Sequence, residues 1–314
     1  MGNHCGDIYN YFFKIFGALL TVLLGFLAGK WGNVKKDGIA SLLFYFVAPI
    51  VYFAIPASAS LKISDLGITL VSFIITSCLS CFAFWSYGRL WKDSRVNILA
   101  FSAGTCNGGY LGIPIAAMIF DEHTLSIFVL ATIGVAIYEA IVGFYFCSRS
   151  DANIYDSVIK IIKLPILNAF IVGCAIGLSD FTFPDFLDEF IHDMRGTFAL
   201  LGMVLIGLAL ANAEDMKFDY KFVGAAFFSK FVIYPLAFNL FIITDRFFLG
   251  WYGINYHNAL QLLCLMPLAT SNILLSSLFK LYPEKMAASV LLAMLFALIY
   301  IPAMSSFLLN DIVS

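Results

Sequence analysis

Charged residues are scarce in this chain. They make up 12% of its 314 residues, against roughly 25% in soluble domains. Hydrophobic residues make up 61%, and the mean hydropathy is +0.93. This composition excludes a large soluble domain and predicts an integral, all-α membrane protein embedded in a lipid bilayer. The net charge of −2 gives no basic excess, so nucleic acid is not an expected partner.

The chain also lacks the motifs of several functional classes. It has no G-x-x-x-x-G-K-[ST] P-loop, so no ATP-driven engine is recognisable. It has no H-E-x-x-H and no pair of intramembrane aspartates, which disfavours an intramembrane enzyme. Cys78 and Cys81 have the spacing of metal ligands, but no second pair accompanies them, and buried apolar cysteines are the preferred interpretation. The sequence therefore predicts no enzymatic activity, no metal and no cofactor.

Apolar segments account for most of the chain. A spanning helix needs about 20 apolar residues. Short polar linkers separate ten such segments, at about 9–29, 38–58, 67–87, 96–120, 124–147, 164–180, 195–213, 220–243, 254–279 and 286–309. A short amphipathic piece at about 154–163 precedes the sixth. We predict ten transmembrane helices.

The basic residues predict the orientation of these helices, because cytoplasmic loops carry an excess of Lys and Arg. Lys62, Arg195 and Arg246 flank the even-numbered loops, and Lys14 and Lys230 fall within spans. All the others of the 18 lie after odd-numbered helices: Lys30, Lys35, Lys36, Arg89, Lys92, Arg95, Arg149, Lys160, Lys163, Lys217, Lys221, Lys280 and Lys285. The odd-numbered loops are therefore expected in the cytoplasm and both termini outside.

Two of the predicted helices are interrupted at membrane depth. The fourth contains Asn107-Gly-Gly-Tyr-Leu-Gly-Ile-Pro114, and the ninth contains Met266-Pro-Leu-Ala-Thr-Ser-Asn272. A broken helix is tolerated in a bilayer only where it is buried in protein or lines a wet cavity. Two interruptions at corresponding positions are typical of a transport site, although two unrelated proline kinks are the alternative.

The positions of the interruptions predict a repeat. Because five is odd, a second set of five helices (164–314) enters the membrane from the face opposite to that of the first set (1–148). Residues 149–163 form the cytoplasmic linker between them. We therefore predict two inverted five-helix repeats, with helices 4 and 9 broken and crossing.

The crossing would suit a carboxylate. Half-helices starting after Pro114 and Pro267 would turn partially positive ends towards one volume. The residues expected to bind substrate comprise amide and hydroxyl donors, glycines that permit close approach, and the two prolines: Asn107, Gly108, Gly109, Gly112, Pro114, Pro267, Thr270, Ser271 and Asn272. The glycines are equally suited to helix packing.

Two ionisable residues lie deep within predicted spans. Glu139 and Lys230 are nine and ten residues from the cytoplasmic ends of helices 5 and 8, which is about 14 and 15 Å at 1.5 Å per residue. A fixed ion pair is one interpretation. The other is a coupling role, in which Glu139 takes up a proton or Lys230 neutralises a bound anion.

At these residues the sequence resembles the auxin efflux carrier family, which includes the plant PIN-FORMED carriers and bacterial organic-acid permeases. The resemblance spans nearly the whole chain and rests on four segments: Asn107–Pro114, Met266-Pro267 with its polar run, Phe46-Val-Ala-Pro49, and Leu200–Leu210. It implies ten helices in two inverted repeats, divided into a scaffold and a transporter part. It also implies that Asn107 contacts the substrate carboxylate and that Pro114 and Pro267 shape the site.

The sequence departs from the plant carriers in two ways. Its central loop lacks their long regulatory segment, and its third helix contains no aspartate. The bacterial type is the closer likeness. We therefore predict a secondary transporter that moves a small organic anion by alternating access across a membrane, expected to be a bacterial cytoplasmic membrane. A sodium-coupled symporter and a non-transporting sensor with a carrier fold are the alternatives. Proton or sodium coupling and a homodimer are left open.

Overall fold

A computed structural model gives the fold. The structure describes residues 20–32, 34–58, 62–148, 165–179, 183–211 and 219–308, and the described part consists of helices and short connections, without strands. The predicted linker at 149–163, and the amphipathic piece within it, lie outside the described residues.

The first half contains eight helices in its described part. They are α1 (Leu20–Trp31), α2 (Lys36–Leu42), α3 (Ala48–Ser58), α4 (Gly67–Tyr87), α5 (Arg95–Ala103), α6 (Ile113–Ile119), α7 (Glu122–Tyr138) and α8 (Phe144–Ser148). Wider π-helical turns at Leu43–Val47 and Glu139–Gly143 join α2 to α3 and α7 to α8, and another at Gly108–Gly112 leads into α6.

The described part of the second half contains seven helices. They are α9 (Pro165–Gly177), α10 (Asp185–Ala211), α11 (Tyr220–Phe228), α12 (Tyr234–Thr244), α13 (Ile254–Leu265), α14 (Ser271–Leu278) and α15 (Pro283–Leu308). A π-helical turn at Ser229–Ile233 joins α11 to α12, and another at Asp245–Leu249 follows α12. Each of the ten predicted segments thus overlaps a described helix or helix pair. The seventh starts at Asp185 rather than near 195, because its acidic residues lie in the first turns, where they favour a helix.

Several helices suit a bilayer by length and composition. Four are long and apolar enough to span it: Ser64–Tyr87, Glu122–Ser148, Tyr220–Leu249 and Pro283–Ile301. Three shorter apolar helices are Leu20–Trp31, Tyr45–Ser58 and Asn168–Gly177. The protein is therefore an all-α integral membrane protein, and the number of its crossings stays a prediction.

Proline explains three of the wide turns. Pro49, Pro114 and Pro235 each follow the last residue of a π-helical turn by two positions. A proline has no N–H for the carbonyl four residues earlier, and its ring clashes with that carbonyl. Widening the preceding turn relieves the clash without ending the helix. The chain therefore passes through these prolines with its helices bent but continuous.

The helices pack in two groups. In the first, α1, α2, α3, α9 and α10 contact one another. In the second, α4 packs against α5 and α7, and α7 packs against α13. At Gly134 of α7 a Cβ would lie 2.2 Å from the carbonyl oxygen of Thr69, so this contact requires glycine. We call these the first and second bundles, with α5–α8 and α11–α15 completing the second. Contacts of α3 with α7, and of α10 with α6, connect the two.

Candidate functional site

The interruption of the fourth predicted helix lies at Gly104–Asn107. Helix α5 ends at Ala103, and helical structure resumes at Gly108. The second half-helix was expected to start after Pro114, and this was wrong: Pro114 lies inside the resumed helix, in the first turn of α6. Gly104, at the start of the break, packs directly on the Tyr138 ring. A side chain at position 104 would push the backbone away from this contact.

The interruption of the ninth predicted helix lies at Met266–Thr270. Helix α13 ends at Leu265, and α14 begins at Ser271. Here the proline is inside the break, as expected. The residues from Met266 to Ala269 are all buried, which leaves their backbone groups dependent on partners within the protein.

The two interruptions contact each other, and we call the place where they meet the crossing. The backbone N–H of Asn107 donates to the carbonyl of Pro267 at 2.8 Å. The side-chain nitrogen of Asn272 donates to Thr105 Oγ1 at 2.8 Å and to the carbonyl of Ala269 at 2.9 Å. These bonds satisfy backbone and side-chain groups that lipid could not satisfy. Thr105 is a residue that the sequence analysis missed, although its position beside Asn107 in a polar, glycine-rich break was a usable signal.

The two asparagines differ in what they leave free. Asn107 is 3% exposed, and its amide nitrogen has no hydrogen-bond partner in the described part of the chain. Asn272 is fully buried, its amide nitrogen is engaged as described, and its unpaired atom is the acceptor Oδ1. Only Asn107 therefore presents a spare donor to an anion in this arrangement, and a substrate contact by either residue stays a prediction.

The three glycines after Asn107 lie in close packing contacts. A Cβ at Gly108 would meet Thr132 at 2.9 Å, one at Gly109 would meet the Tyr52 hydroxyl at 2.9 Å, and one at Gly112 would meet the Phe128 ring at 2.7 Å. Of the two uses the sequence left open, packing is thus supported at all three positions. Ligand contact at these glycines stays a prediction.

Lys230 lies at the crossing. Its side chain is fully buried, its Nζ donates to the carbonyl of Thr105 at 3.0 Å, and the ammonium sits 3.3 Å from the centre of the Tyr234 ring. The carbonyl belongs to the unwound segment just beyond α5, at the partially negative end of that half-helix. The hydrogen bond and the face of the Tyr234 ring replace part of the hydration that the Lys230 ammonium loses on burial.

Glu139 is the second ionisable residue that the sequence predicts at this depth. It begins the π-helical turn after α7, is partly buried, and its carboxylate lies within reach of the Ser271 hydroxyl at the start of α14. That hydroxyl has no hydrogen bond of standard geometry in the described part. Glu139 and Lys230 form no ion pair among the described residues, and the Lys230 ammonium donates to the carbonyl of Thr105 instead. The interpretation as a fixed ion pair is therefore not supported, and coupling stays a prediction.

Aromatic residues from both bundles meet beside this site. Phe198 of α10 stacks on Tyr110 with ring centres 6.2 Å apart and contacts Tyr52 edge-on at 6.3 Å. No sequence pattern indicated this contact, because it joins distant segments through side chains that are common in any membrane helix.

Two buried or half-buried aspartates tie helix ends together. In the Asp65 cluster, the Tyr256 hydroxyl donates to Asp65, and His123 Nε2 lies 3.7 Å from it. In the Asp219 cluster, Lys285 Nζ donates to Asp219 at 2.7 Å, and Arg95 lies 4.0 Å from it. The hydrogen bond from Lys285 holds the pKa of Asp219 below its usual range. Each cluster joins three helices of the second bundle.

Comparison with known proteins is consistent with this architecture. A family model described as membrane transport protein matches residues 11–305. The chain belongs to this family. The resemblance to the auxin efflux carriers is thereby confirmed. An uncharacterized transporter of Methanocaldococcus jannaschii is 24% identical over 308 residues, which cover 93% of this chain and 97% of that relative. Membership of the membrane transport protein family indicates a transporter rather than an enzyme.

Proposed function

We propose that this protein is a secondary transporter that carries a small organic anion through the crossing by means of the anion's carboxylate. One observation carries the proposal: the amide nitrogen of Asn107 is buried and unpartnered beside an unwound backbone that holds the Lys230 ammonium. An unpaired buried donor costs about 1–3 kcal/mol, and a carboxylate oxygen is the acceptor that would relieve this cost. The nearby ammonium would favour a negative ligand.

The proposal includes the inverted repeat, with residues 1–148 and 164–314 as its halves. The two aspartate clusters support it. Asp65 lies just before the third predicted helix and contacts the starts of the fifth and ninth. Asp219 lies just before the eighth and contacts the starts of the tenth and fourth. Inversion relates the third helix to the eighth, the fifth to the tenth and the ninth to the fourth. Each contact thus has its counterpart on the opposite face of the membrane.

Alternating access requires the two bundles to move against each other. In the proposed topology, the contacts that join them lie towards the outer face. Arg195 of α10 pairs with Glu122 of α7 at 3.3 Å, and the Ser126 hydroxyl donates to the carbonyl of Ile55 at 3.2 Å. These contacts, together with Phe198 and the aromatic rings that it touches, would close the path between the crossing and the outer face. Opening it would break the ion pair and slide α7 along α3.

The charges at the crossing favour transport without sodium. Sodium would need oxygen ligands, and the unwound carbonyl of Thr105 is already bound by the Lys230 ammonium. Neither break contains a carboxylate. Lys230 would therefore supply the positive charge that a co-transported cation supplies in a sodium-coupled carrier. If transport is coupled to protons, Glu139 is the group available to take one up.

Counterflow in liposomes tests the proposal. Purified protein is reconstituted into liposomes that are loaded with a mixture of short carboxylates. Uptake of labelled acid is then measured for wild type, Asn107→Ala and Asn239→Ala. Asn239 is a matched control, because its amide donates within its own helix, to the carbonyl of Pro235. We expect counterflow in wild type and in the control and its loss in Asn107→Ala. Wild-type rates in Asn107→Ala would refute the role of this amide, and absence of counterflow in wild type would refute the transporter.

A further inference from the structure

The ion pair that joins the two bundles has unequal partners. Arg195 of α10 donates from Nη1 to a carboxylate oxygen of Glu122 at 3.3 Å. The Arg195 side chain is 20% exposed, and the Glu122 side chain is 69% exposed. A pair with so solvated a partner contributes little to stability, because water screens the attraction and competes for the carboxylate. The ion pair alone is therefore a weak latch, and Glu122 can leave the arginine at little cost.

The arginine also has an unused donor. Its Nε is buried and has no hydrogen-bond partner in the described part of the chain. A guanidinium presents five N–H donors in a planar fork and stays charged at any relevant pH. It binds a carboxylate best through two parallel hydrogen bonds, one from each of two nitrogens. Arg195 thus combines a permanent positive charge with a spare buried N–H, which is what a second carboxylate would use.

In the proposed topology, Arg195 stands between the outer face and the crossing. Phe198 is one turn further along α10, on the same face of the helix, and stacks on Tyr110 with ring centres 6.2 Å apart. Tyr110 belongs to the π-helical turn that begins directly after Asn107. An anion that moves between Asn107 and the outer solution would therefore meet Arg195 just beyond these two rings.

We infer that Arg195 is the anion-binding residue of an outer subsite, where the carboxylate of the transported acid takes the place of Glu122. This inference rests on the proposed function and its topology. The ligand carboxylate would accept from Nε as well as from an Nη, and the apolar part of the acid would lie against the Phe198 ring. Because departure of Glu122 removes an ion pair between α10 and α7, binding at this subsite would favour opening of the outer path.

Neutralising each partner in turn separates binding from latching. A pure latch is broken equally by Glu122→Gln and Arg195→Gln, so both should then change transport in the same way. A binding arginine predicts opposite effects on KM. Glu122→Gln removes a competing carboxylate and should lower KM for butyrate by about threefold, whereas Arg195→Gln should raise it by about three- to tenfold, on the scale of a partly exposed charge pair. The kcat should change in the same direction in both variants.

Counterflow of labelled butyrate into proteoliposomes gives KM and kcat, and butyrate-dependent shifts of Tm in detergent give the affinity without transport. Butyrate has one carboxylate and an apolar chain. Another acid of the counterflow mixture replaces it if wild type exchanges that acid faster. Glu189→Gln and Arg246→Gln are the matched controls, because both residues are exposed and their replacement makes the same charge changes away from the ion pair. Both should keep the wild-type KM.

Arg195→Lys adds a second discrimination. It keeps the positive charge that pairs with Glu122 but lacks the planar fork and its Nε donor. We expect this variant to raise KM, whereas a pure latch would leave KM at the wild-type value.

The outcomes separate this inference from the function beneath it. Shifts of KM in the same direction in Glu122→Gln and Arg195→Gln, or a wild-type KM in both Arg195 variants, would overturn the subsite while leaving the transporter intact. Absence of counterflow of every acid in wild type would overturn both. If Arg195→Gln does not fold, Glu122→Gln and Arg195→Lys decide, because binding alone predicts a lowered KM in the first and a raised KM in the second.

Discussion

The two asparagines at the crossing should respond in opposite ways to the same truncation. Asn272→Ala removes two buried hydrogen bonds, to Thr105 Oγ1 and to the carbonyl of Ala269. Asn107→Ala removes an amide nitrogen that has no partner in the described part of the chain. We expect the first variant to lose stability and the second to lose binding.

The magnitudes follow from the contacts. A typical hydrogen bond contributes about 1 kcal/mol net, so Asn272→Ala should cost about 2 kcal/mol. The groups it leaves behind stay satisfied, because Thr105 Oγ1 still donates to Ser102 and the Ala269 carbonyl still accepts from the backbone N–H of residue 272. On the scaling for large domains, this lowers Tm by about 4–8 °C. Asn107→Ala should not lower Tm, because its amide nitrogen has no partner to lose and an unpaired buried donor itself costs about 1–3 kcal/mol.

Binding should show the reverse order. A hydrogen bond to a charged ligand contributes about 1.5–3 kcal/mol, so Asn107→Ala should weaken carboxylate binding by about 10- to 100-fold. Thermal unfolding in detergent, followed by intrinsic tryptophan fluorescence, gives Tm. Shifts of this Tm with ligand concentration give the affinity. A fall in Tm of the expected size in Asn107→Ala, or its absence in Asn272→Ala, would refute the division of roles between the two amides.

Three further predictions follow from contacts elsewhere. Asp219→Ala should cost about 1–2 kcal/mol, since it loses the N-cap of α11 and the ion pair, whereas Asp219→Asn keeps the cap and should cost about 0.5 kcal/mol. Because Lys285 lowers the pKa of this carboxyl, the ion pair stabilises the protein above the unfolded-state pKa, and this contribution is lost as the pH falls through the folded-state pKa. Acid unfolding of Lys285→Met checks this sign, because the variant should lose less stability than wild type as the pH falls. Gly134→Ala should destabilise by about 1–3 kcal/mol by overpacking α7 on α4, while Gly224→Ala, with no atom within 4 Å of its Cβ, should stabilise slightly. Lys230→Met should retain the fold but weaken anion binding by about tenfold or more, as calorimetry would register.

Each of these has an outcome that contradicts it. Equal effects of alanine and asparagine at position 219 would show that the N-cap of α11 does not contribute to stability. Tolerance of alanine at Gly134 would mean that α4 and α7 can separate without cost. Unaltered anion affinity in Lys230→Met would leave the buried ammonium without a part in binding.

Periodicity and composition predicted the helices well, because a bilayer imposes length and apolarity on every spanning segment. The 67–87 segment matches α4 at both ends. The same reasoning placed Pro267 inside a break. It failed at Pro114, because a proline can be accommodated by a widened turn as well as by an interruption, and the sequence does not distinguish the two.

Side-chain pairing was beyond the sequence for a different reason. Equal depths for Glu139 and Lys230 allowed an ion pair, yet depth is one coordinate of three, and each residue faces a different half-helix. The contact of Asp65 with Tyr256 was likewise hidden, because it joins residues 191 positions apart. Contacts of this kind depend on how helices pack, which hydrophobic pattern alone does not specify.

Asn107 and Asn272 differ in their hydrogen bonds, and this difference follows from what unwound backbone in a membrane requires. Unwound backbone in a membrane has to be held by partners within the protein, and Asn272 supplies that restraint by bonding across to Thr105. In the proposed function, the free amide of Asn107 is the group that binds the ligand, while Asn272 holds the two breaks together. The effects of Asn107→Ala and Asn272→Ala on binding should therefore not add, because the second variant loosens the backbone that aims the first amide.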